Sequence, residues 1–143
     1  MLRHLAFVFL LAFTFAASAR AEPPTATLYA NPQCKCCHGH ADYLRAEGFK
    51  VTVKEVPDMT PIRQQYGVPG ALEGCHIMII DGYVIEGHVS AAPIRKLLTE
   101  RPKIKGISLP GMPDGSPGMT GKKAEPFTIL EIADGTPKVF AVE

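Results

Sequence analysis

The chain of 143 residues carries 15 lysine or arginine side chains and 14 aspartate or glutamate side chains, a formal charge of +1 at pH 7. This near-neutral balance argues against a protein that binds nucleic acid or anionic lipid through a basic surface. The length fits one domain. The chain has four cysteines, and an even number in an exported protein ordinarily indicates two disulfides.

Residues 1–21 predict a cleaved secretory signal. A short positive start precedes an almost uninterrupted apolar run at 5–17, and Ala19-Arg20-Ala21 satisfies the small-x-small rule of signal peptidase. Because a spanning helix needs about 20 apolar residues, we favour cleavage after Ala21 over an uncleaved anchor. The mature domain, residues 22–143, then has 13 basic and 14 acidic side chains, a charge of −1. We expect it in the periplasm, an oxidising compartment.

The first predicted strand and helix enclose a dense group of cysteines. Residues 25–30 alternate polar and apolar as a strand does, and apolar residues then recur at helical spacing as far as Gly48. Cys34-Lys35-Cys36-Cys37 falls at the turn between the two. Thiolates are nucleophiles and soft metal ligands, and the unpaired N–H groups and dipole of a helix start lower their pKa. The sequence therefore predicts that the working site lies here.

A purely structural role for these cysteines conflicts with disulfide geometry. A bond between the adjacent Cys36 and Cys37 would close a strained ring, and one between Cys34 and Cys36 would be tight on a turn, since Cα atoms must lie about 4.4–6.8 Å apart. A bond from Cys34 to Cys37 closes naturally and leaves Cys36 and Cys75 to pair or to stay free. Two structural disulfides remain an alternative, but three crowded thiols favour a metal site.

Hydrophobic periodicity and turn signals predict the remaining elements in chain order. They are a strand at 50–56, a helix that Asp58 or Thr60 caps and Gly67 ends, strands at 77–80 and 83–89 joined by Asp81-Gly82, and a helix that Ser90 caps and that ends before Pro102. Residues 102–126 contain five prolines and five glycines, which predicts a loop. Residues 127–132 and 138–142 predict a C-terminal β-hairpin that extends the sheet or covers this loop.

The order strand, helix, strand, helix, hairpin, helix, with cysteines at the first strand-to-helix turn, resembles the α/β fold of thioredoxin and glutaredoxin. Thr27-Leu28-Tyr29 leading into a C-x-x-C spacing resembles glutaredoxin in particular. The resemblance implies a β-α-β-α-β-β-α domain in which a proline, usually cis, opens the strand before the hairpin and faces the cysteine pair. His76 stands at that position here, with Cys75 beside it. Because two potential metal ligands replace the substrate-receiving proline, we expect metal binding rather than redox catalysis.

Four further motifs follow one another along the mature chain. They are Cys34-Lys35-Cys36-Cys37, Gly74-Cys75-His76, Glu86-Gly87-His88-Val89, and the segment from Leu109-Pro110-Gly111-Met112 to Gly118-Met119. In this order they resemble the CopG-like copper-resistance proteins of the periplasm, and the combination is specific where a lone C-x-C-C is not. The resemblance implies a thioredoxin-like fold that binds several copper ions through clustered cysteines. It does not by itself establish catalysis.

The residue types independently indicate copper. Soft thiolate and thioether ligands select Cu(I), and bridging thiolates let a few cysteines hold more than one ion. Zinc is the rival because four cysteines can form a tetrahedral site, although adjacent cysteines are poor at filling two of its vertices. The predicted metal ligands are Cys34, Cys36, Cys37, Cys75, His76, His88, Met112 and Met119, the methionines coming from a repeated Pro-Gly-Met. For His38 and His40 two alternatives remain: either could bind the metal, or either could be exposed to solvent at the start of the helix.

Three functions are consistent with the sequence. The first is a periplasmic copper-resistance protein that holds several Cu(I) ions in a cysteine-bridged cluster, which could also cycle between Cu(I) and Cu(II). The second is a thiol–disulfide oxidoreductase with Cys34 as nucleophile and Cys37 as resolving thiol. The third is a metallochaperone that delivers copper to another periplasmic copper-handling protein. We favour the first, with copper ions as partners, no nucleic acid, and no membrane association after signal cleavage.

Overall fold

A computed structural model describes residues 22–143 of the chain. The predicted secretory signal, residues 1–21, lies outside the described residues. Within the described part, no helix has both the length and the apolar character needed to cross a membrane.

The described residues form a seven-stranded sheet and three α-helices. The strands are β1 (Thr25–Ala30), β2 (Lys50–Glu55), β3 (Ile77–Ile80), β4 (Tyr83–Glu86), β5 (Gly106–Ser108), β6 (Thr128–Ile132) and β7 (Val139–Val142). The helices are α1 (Lys35–Ala46), α2 (Thr60–Tyr66) and α3 (Ala91–Glu100), and a short 3₁₀ helix spans Gly70–Leu72. The chain order of these elements through α3 matches the predicted β-α-β-α-β-β-α order, and the mixed α/β class is confirmed.

The strands lie in the order β2-β1-β3-β4-β5-β6-β7. β1 pairs with β2 in parallel and with β3 antiparallel, and β3 and β4 form the hairpin that Asp81-Gly82 predicts. β6 and β7 pair antiparallel, and β5 joins this terminal hairpin to β4. The C-terminal hairpin therefore extends the sheet, as one of the two predicted arrangements has it.

Both faces of the central strands are buried. Leu28, Met78 and Ile85 pack into the main core with α1 and α3, whereas Ile77 and Val84 point to the opposite face, against Ile62 and Tyr66 of α2. Successive side chains of a strand point to opposite faces of the sheet. A strand covered on both sides has to be apolar throughout, which explains the unbroken run of β3.

The segment predicted as an uninterrupted loop, residues 102–126, contains a strand. β5 lies between β4 and β6 and bonds to both, so its stability comes from pairing rather than from its own composition. Gly106 is required there because a Cβ atom at this position would overlap the carbonyl group of Val84. A strand of only three residues is too short to show an alternating pattern, so the sequence could not reveal β5.

Three further sequence predictions differ from the structure. The return strand β4 ends at Glu86 rather than at residue 89, because Gly87 has a φ of +77° and leaves the strand conformation. Ser90 occupies the N-cap position of α3, but its hydroxyl donates to Glu143 Oε2 and does not cap the helix. At α2 the N-cap is Met59, while Asp58 Oδ1 accepts the N–H of Thr60.

Candidate metal centre

The four cysteines meet at one end of the central strands. Cys34 is the N-cap of α1, Cys36 and Cys37 lie in its first turn, and Cys75 precedes β3. Tyr29 of β1 pairs with Ile77 of β3, which brings the segments following β1 and preceding β3 together. The fold therefore joins cysteines that are about forty positions apart in the chain.

Cys75 is the centre of the sulfur group. Its Sγ atom lies 3.0 Å from that of Cys34 and 3.3 Å from those of Cys36 and Cys37. Cys34 and Cys36 bring their sulfurs within 3.3 Å, and all four Sγ atoms lie within 4.8 Å of one another. We call these four residues the sulfur group. Metal–thiolate bonds are about 2.3 Å long, so a metal ion among these sulfurs would contact several of them after small side-chain movements.

Two of the four sulfurs are joined in this structure. A disulfide links Cys34 to Cys37, whose Cα atoms are 5.4 Å apart, and Cys36 and Cys75 are free thiols. The C-x-x-C pair is thus the one that closes, in line with the sequence expectation. The structure represents the oxidised state, and the disulfide must take up two electrons before all four cysteines can serve as thiolates.

Partial burial shapes the chemistry of the sulfur group. Cys37 is buried, whereas the other three cysteines are partly exposed. Burial raises the pKa of the Cys75 thiol to about 12, and its contact with Cys36 adds to the rise. Without a cation the thiol form of Cys75 is therefore favoured at neutral pH. A bound metal reverses this preference, because a coordinated thiol loses its proton.

A buried ion pair holds the segment that carries Cys75. The carboxylate of Glu86 is 0 % exposed, and its Oε1 accepts from Arg63 Nη2 at 2.6 Å and from the N–H of Gly74 at 2.9 Å. Arg63 Nη2 also donates to the carbonyl of Gly74 at 2.9 Å. Burial raises the pKa of Glu86, although the bonds from Arg63 and Gly74 oppose the rise. The N–H and the carbonyl of Gly74, the residue before Cys75, are thereby bonded to side chains of β4 and α2.

The backbone around Cys75 is also packed too closely for side chains. A Cβ atom on Gly74 would lie 2.6 Å from Gly87 Cα, and one on Gly87 would overlap the carbonyl of Leu109. The N–H of Gly87 donates to the carbonyl of His76 at 2.8 Å. The glycines of the Gly-Cys-His and Gly-His motifs thus allow three chain segments to meet beside the sulfur group.

The two Pro-Gly-Met repeats contact the two segments that bear the cysteines. The N–H of Gly111 donates to the carbonyl of Glu73 at 3.0 Å, next to the Cys75 segment. Gly118 packs on α1, where a Cβ atom would overlap the backbone N of His40 and lie 2.8 Å from the carbonyl of Cys36. The loop therefore contacts both cysteine-bearing segments, and each repeat contributes a glycine with a positive φ that no larger residue could replace without strain.

The methionines of these repeats differ in exposure. Met112 is 56 % exposed, and Met119 is partly buried. Each follows a glycine that contacts a cysteine-bearing segment. Their role as copper ligands stays a prediction.

Three buried imidazoles form a second group of potential metal ligands. His40 of α1, His76 just before β3 and His88 just after β4 are all 0 % exposed, and we call them the imidazole group. His40 Nδ1 lies 2.7 Å from His76 Nε2, and the ring centroids of the three are 4.8–5.1 Å apart. Burial lowers the pKa of His40 to about 4 and lowers the pKa of His76 and His88 as well. The three rings are therefore neutral at pH 7.

The structure divides the histidines differently from the sequence reasoning. The rings of His76 and His88 lie beside that of His40, in a set distinct from the four cysteines. Their predicted role as ligands of the copper ions held by the cysteines stays a prediction. His40 does not lie in solvent. It shares the buried face of α1 with Cys37, Ala41 and Leu44, and this helical spacing was the signal that could have placed it in the interior. His38 is partly exposed and lies 3.4 Å from Glu55 Oε1.

Comparison with known proteins adds a family and two solved structures. A family model described as "Protein of unknown function, DUF411" matches residues 72–119, which include Cys75, both histidines after it and both loop methionines. Two solved structures, named copper resistance protein copG Form 2 and Form 1, are each 38% identical to this chain and cover 85% of it. The chain covers 99% and 98% of them, with TM-scores of 0.79 and 0.78. No curated protein matches the chain.

Proposed function

This chain belongs to the CopG family of copper-resistance proteins, and from this premise we propose that it holds several Cu(I) ions in a cysteine-bridged cluster. The ligands we propose are Cys34, Cys36, Cys37 and Cys75. The observation that carries the proposal is the sulfur group itself, four Sγ atoms from two distant segments within 4.8 Å of one another. Thiolates are soft ligands that select Cu(I), and each can bridge two ions.

The position of Cys75 supports a cluster over a single ion. Its sulfur contacts those of all three cysteines on α1, at 3.0–3.3 Å. A thiolate in such a central position is suited to bridging ions that the other three sulfurs hold. The adjacent Cys36 and Cys37 fit poorly as two vertices of one tetrahedral zinc site, whereas a multinuclear copper site needs no such geometry.

The Cys34–Cys37 disulfide supports a redox role alongside storage. Two Cu(II) ions and the two thiolates of this pair can react to give two Cu(I) ions and one disulfide. Each thiolate sulfur loses one electron, each copper gains one, and one S–S bond forms, so the step balances. The reverse step would return two Cu(II) ions and the dithiolate. We therefore propose that the protein also cycles copper between Cu(I) and Cu(II).

We further propose that the protein works in the periplasm. The proposal rests on the amino-terminal sequence, where a positive start, an apolar run and Ala19-Arg20-Ala21 meet the requirements of a cleaved signal. Copper ions are the immediate partners. Other copper-handling proteins of that compartment are proposed as donors or recipients, since Cys34 and Cys36 are partly exposed.

Thiol–disulfide exchange is the second candidate, and one observation favours it. The free thiol of Cys75 lies 3.0 Å from Cys34 Sγ and 3.3 Å from Cys37 Sγ, within reach of either sulfur of the disulfide. Two features count against it. The raised pKa of Cys75 leaves little thiolate to attack at neutral pH, and His76 replaces the proline that receives a substrate backbone in thioredoxin-like enzymes.

Replacing Cys36 with serine separates the two functions. In the copper proposal Cys36→Ser lowers the ratio of Cu(I) to protein after anaerobic loading, because a bridging ligand is lost. A dithiol enzyme that uses Cys34 and Cys37 keeps its exchange activity in this variant. The measurements are metal analysis and reduction of a disulfide substrate, with wild type as reference. An unchanged copper ratio together with retained exchange activity would replace copper storage with the second candidate.

A further inference from the structure

The two outermost strands of the sheet differ in the side chains that they expose. β2 and β7 end the sheet, so each pairs on one side only within residues 22–143. β2 exposes Lys50, Lys54 and Glu55, and charges on an edge strand prevent pairing with another chain. β7 instead exposes Val139 and Val142, at 57 % and 61 %. An apolar edge strand with unpaired backbone groups is a site to which another strand can add.

The two exposed valines lie on the same face of the sheet. Val142 is opposite Thr128 of β6, and Val139 is opposite Leu130. Both of these β6 residues point away from the main core, which Ile129 between them enters. Residues three apart in a regular strand point to opposite faces, but the irregularity in the pairing of β6 with β7 adds one residue to β7. This bulge therefore gives β7 one apolar exposed face.

The backbone groups of the same two valines point away from β6. Both backbone groups of Glu143 bond to those of Phe127, at 2.7 and 3.0 Å, and the carbonyl of Lys138 accepts an N–H of β6 at 2.8 Å. Successive residues of a strand direct their hydrogen-bonding groups to opposite sides. The neighbours of Glu143 and Lys138, which are Val142 and Val139, therefore present their N–H and carbonyl groups at the open edge of the sheet.

An open groove lies beside this edge. It has a volume of about 230 Å³ and lies between residues of α3 and β7. Its lining consists of Ala92, Pro93, Lys96, Ala141, Val142 and Glu143. The described part of the chain therefore leaves space beside β7 for a strand from outside.

A second copy of this chain matches the edge in register and in charge. Two β7 strands can pair antiparallel about a two-fold axis between positions 140 and 141, which places 139 opposite 142 and 138 opposite 143. Val139 then bonds to the partner's Val142 through the backbone and packs beside it. Lys138 lies opposite the partner's Glu143 at each end. Because an apolar centre is flanked by two opposite-charge pairs, the edge is complementary to itself.

We propose that the protein forms a two-fold symmetric dimer in which the β7 edges of two copies pair antiparallel and join the two seven-stranded sheets into one. Strand addition draws its affinity from main-chain hydrogen bonds, and the valines add apolar contact. The paired strands are only four residues long, so the interface is smaller than that of a standard stable complex and the dimer is weak. The proposal does not depend on copper binding by the sulfur group.

Sedimentation velocity of the metal-free protein, obtained by expressing the full chain, tests the proposal. We expect a monomer that converts to a dimer as the protein concentration rises to about 1 mM. Val139→Lys combined with Val142→Lys places lysines opposite each other and should weaken dimerisation by more than about tenfold. Thr52→Lys is the matched control on the exposed edge of β2, and it should leave dimerisation unchanged. A non-reducing gel excludes copies that are linked by a disulfide.

Charge reversal tests the register. Lys138→Glu places two carboxylates opposite each other at each end of the interface, and Glu143→Lys places two cations there, so each should weaken dimerisation by about three- to tenfold. The double variant restores the opposite charges and should recover wild-type dimerisation, a rescue that a general loss of structure would not give. Melting curves check that each variant folds, since Glu143 also accepts from the hydroxyl of Ser90.

Four results would each overturn the proposal. They are a monomer at every concentration, a dimer that the two lysines leave intact, a dimer that the double charge reversal does not restore, and oligomers that keep growing with concentration. If a strand of another protein is the natural occupant of the edge, the pure protein stays monomeric and gives the first of these results.

Discussion

Replacing Cys75 with serine is expected to remove multinuclear copper binding altogether. The Sγ atom of Cys75 lies within 3.3 Å of the other three sulfurs, whereas those three all lie at the start of α1. Without it all remaining cysteines come from the start of one helix, and no sulfur from a second segment is left to enclose an ion. We expect the affinity for Cu(I) to fall by more than about 100-fold, beyond the 10–100-fold that an outer-shell substitution costs.

The measurement is the ratio of copper to protein after anaerobic Cu(I) loading and removal of unbound metal. Serine is close in size to cysteine, and the Cys34–Cys37 disulfide does not involve position 75, so the metal-free variant should melt near the wild-type temperature. That melting temperature is the control for a general loss of structure. A folded Cys75→Ser variant that keeps the wild-type copper ratio would show that Cys75 is not a ligand.

Replacing Arg63 with methionine is expected to destabilise the protein by about 3–5 kcal/mol, because it leaves the buried carboxylate of Glu86 without its cation. Arg63 Nη2 and Nε both donate to Glu86 Oε1, at 2.6 and 3.1 Å, and Glu86 is 0 % exposed. The other oxygen, Oε2, has no partner within residues 22–143, so only the N–H of Gly74 still donates to the carboxylate once Arg63 is lost. The free energy of unfolding from urea titration measures the effect.

Two companion variants define the cause. Arg63→Met combined with Glu86→Gln should recover part of the loss, since a neutral amide is cheaper to bury than an unpaired charge. Lys50→Met is the matched control, because the Lys50–Glu22 pair is exposed and such pairs contribute about 0–1 kcal/mol. No recovery in the double variant would place the cost in lost packing of the Arg63 side chain instead.

The pH dependence of the same variant has a defined sign. Burial raises the pKa of Glu86 in the folded protein, so the folded state holds this proton more tightly than the unfolded chain does. Stability from this group is therefore present below its unfolded pKa of about 4.3 and is lost as pH rises through the folded value. Without Arg63 this loss is larger. The loss in free energy of unfolding of Arg63→Met relative to wild type should therefore be smaller at pH 5 than at pH 8.

The elements with strong periodicity could be predicted from the sequence. Residues 25–30 alternate in polarity, and Asp81-Gly82 separates two apolar runs. Both patterns match the burial of side chains in the folded strands, so both could be recognised in the sequence. The strand β5 could not be predicted, because neighbouring strands on both sides stabilise its three residues. The end of β4 at Glu86 depends on the positive φ of Gly87, which follows from contacts with distant segments.

The candidate site was predictable to a similar degree. The spacing of Cys34, Cys36 and Cys37 indicates a metal site through local geometry alone, and the resemblance adds Cys75. The contact of His40 with His76 arises from packing between α1 and the segment before β3, 36 positions away. No local pattern encodes such a contact. The role of Arg63 was missed for the same reason, since its partners lie 11 and 23 positions along the chain.

X-ray absorption at the copper edge of the anaerobically Cu(I)-loaded wild-type protein tests the central claim most directly. A cysteine-bridged cluster predicts more than one copper per chain, sulfur as the dominant ligand atom, and a copper–copper vector at a distance that bridging thiolates permit. The protein is reduced before loading, because the disulfide occupies two of the four proposed ligands. No retained copper, or copper bound by nitrogen and oxygen without sulfur, would contradict the account and leave disulfide exchange as the function to pursue.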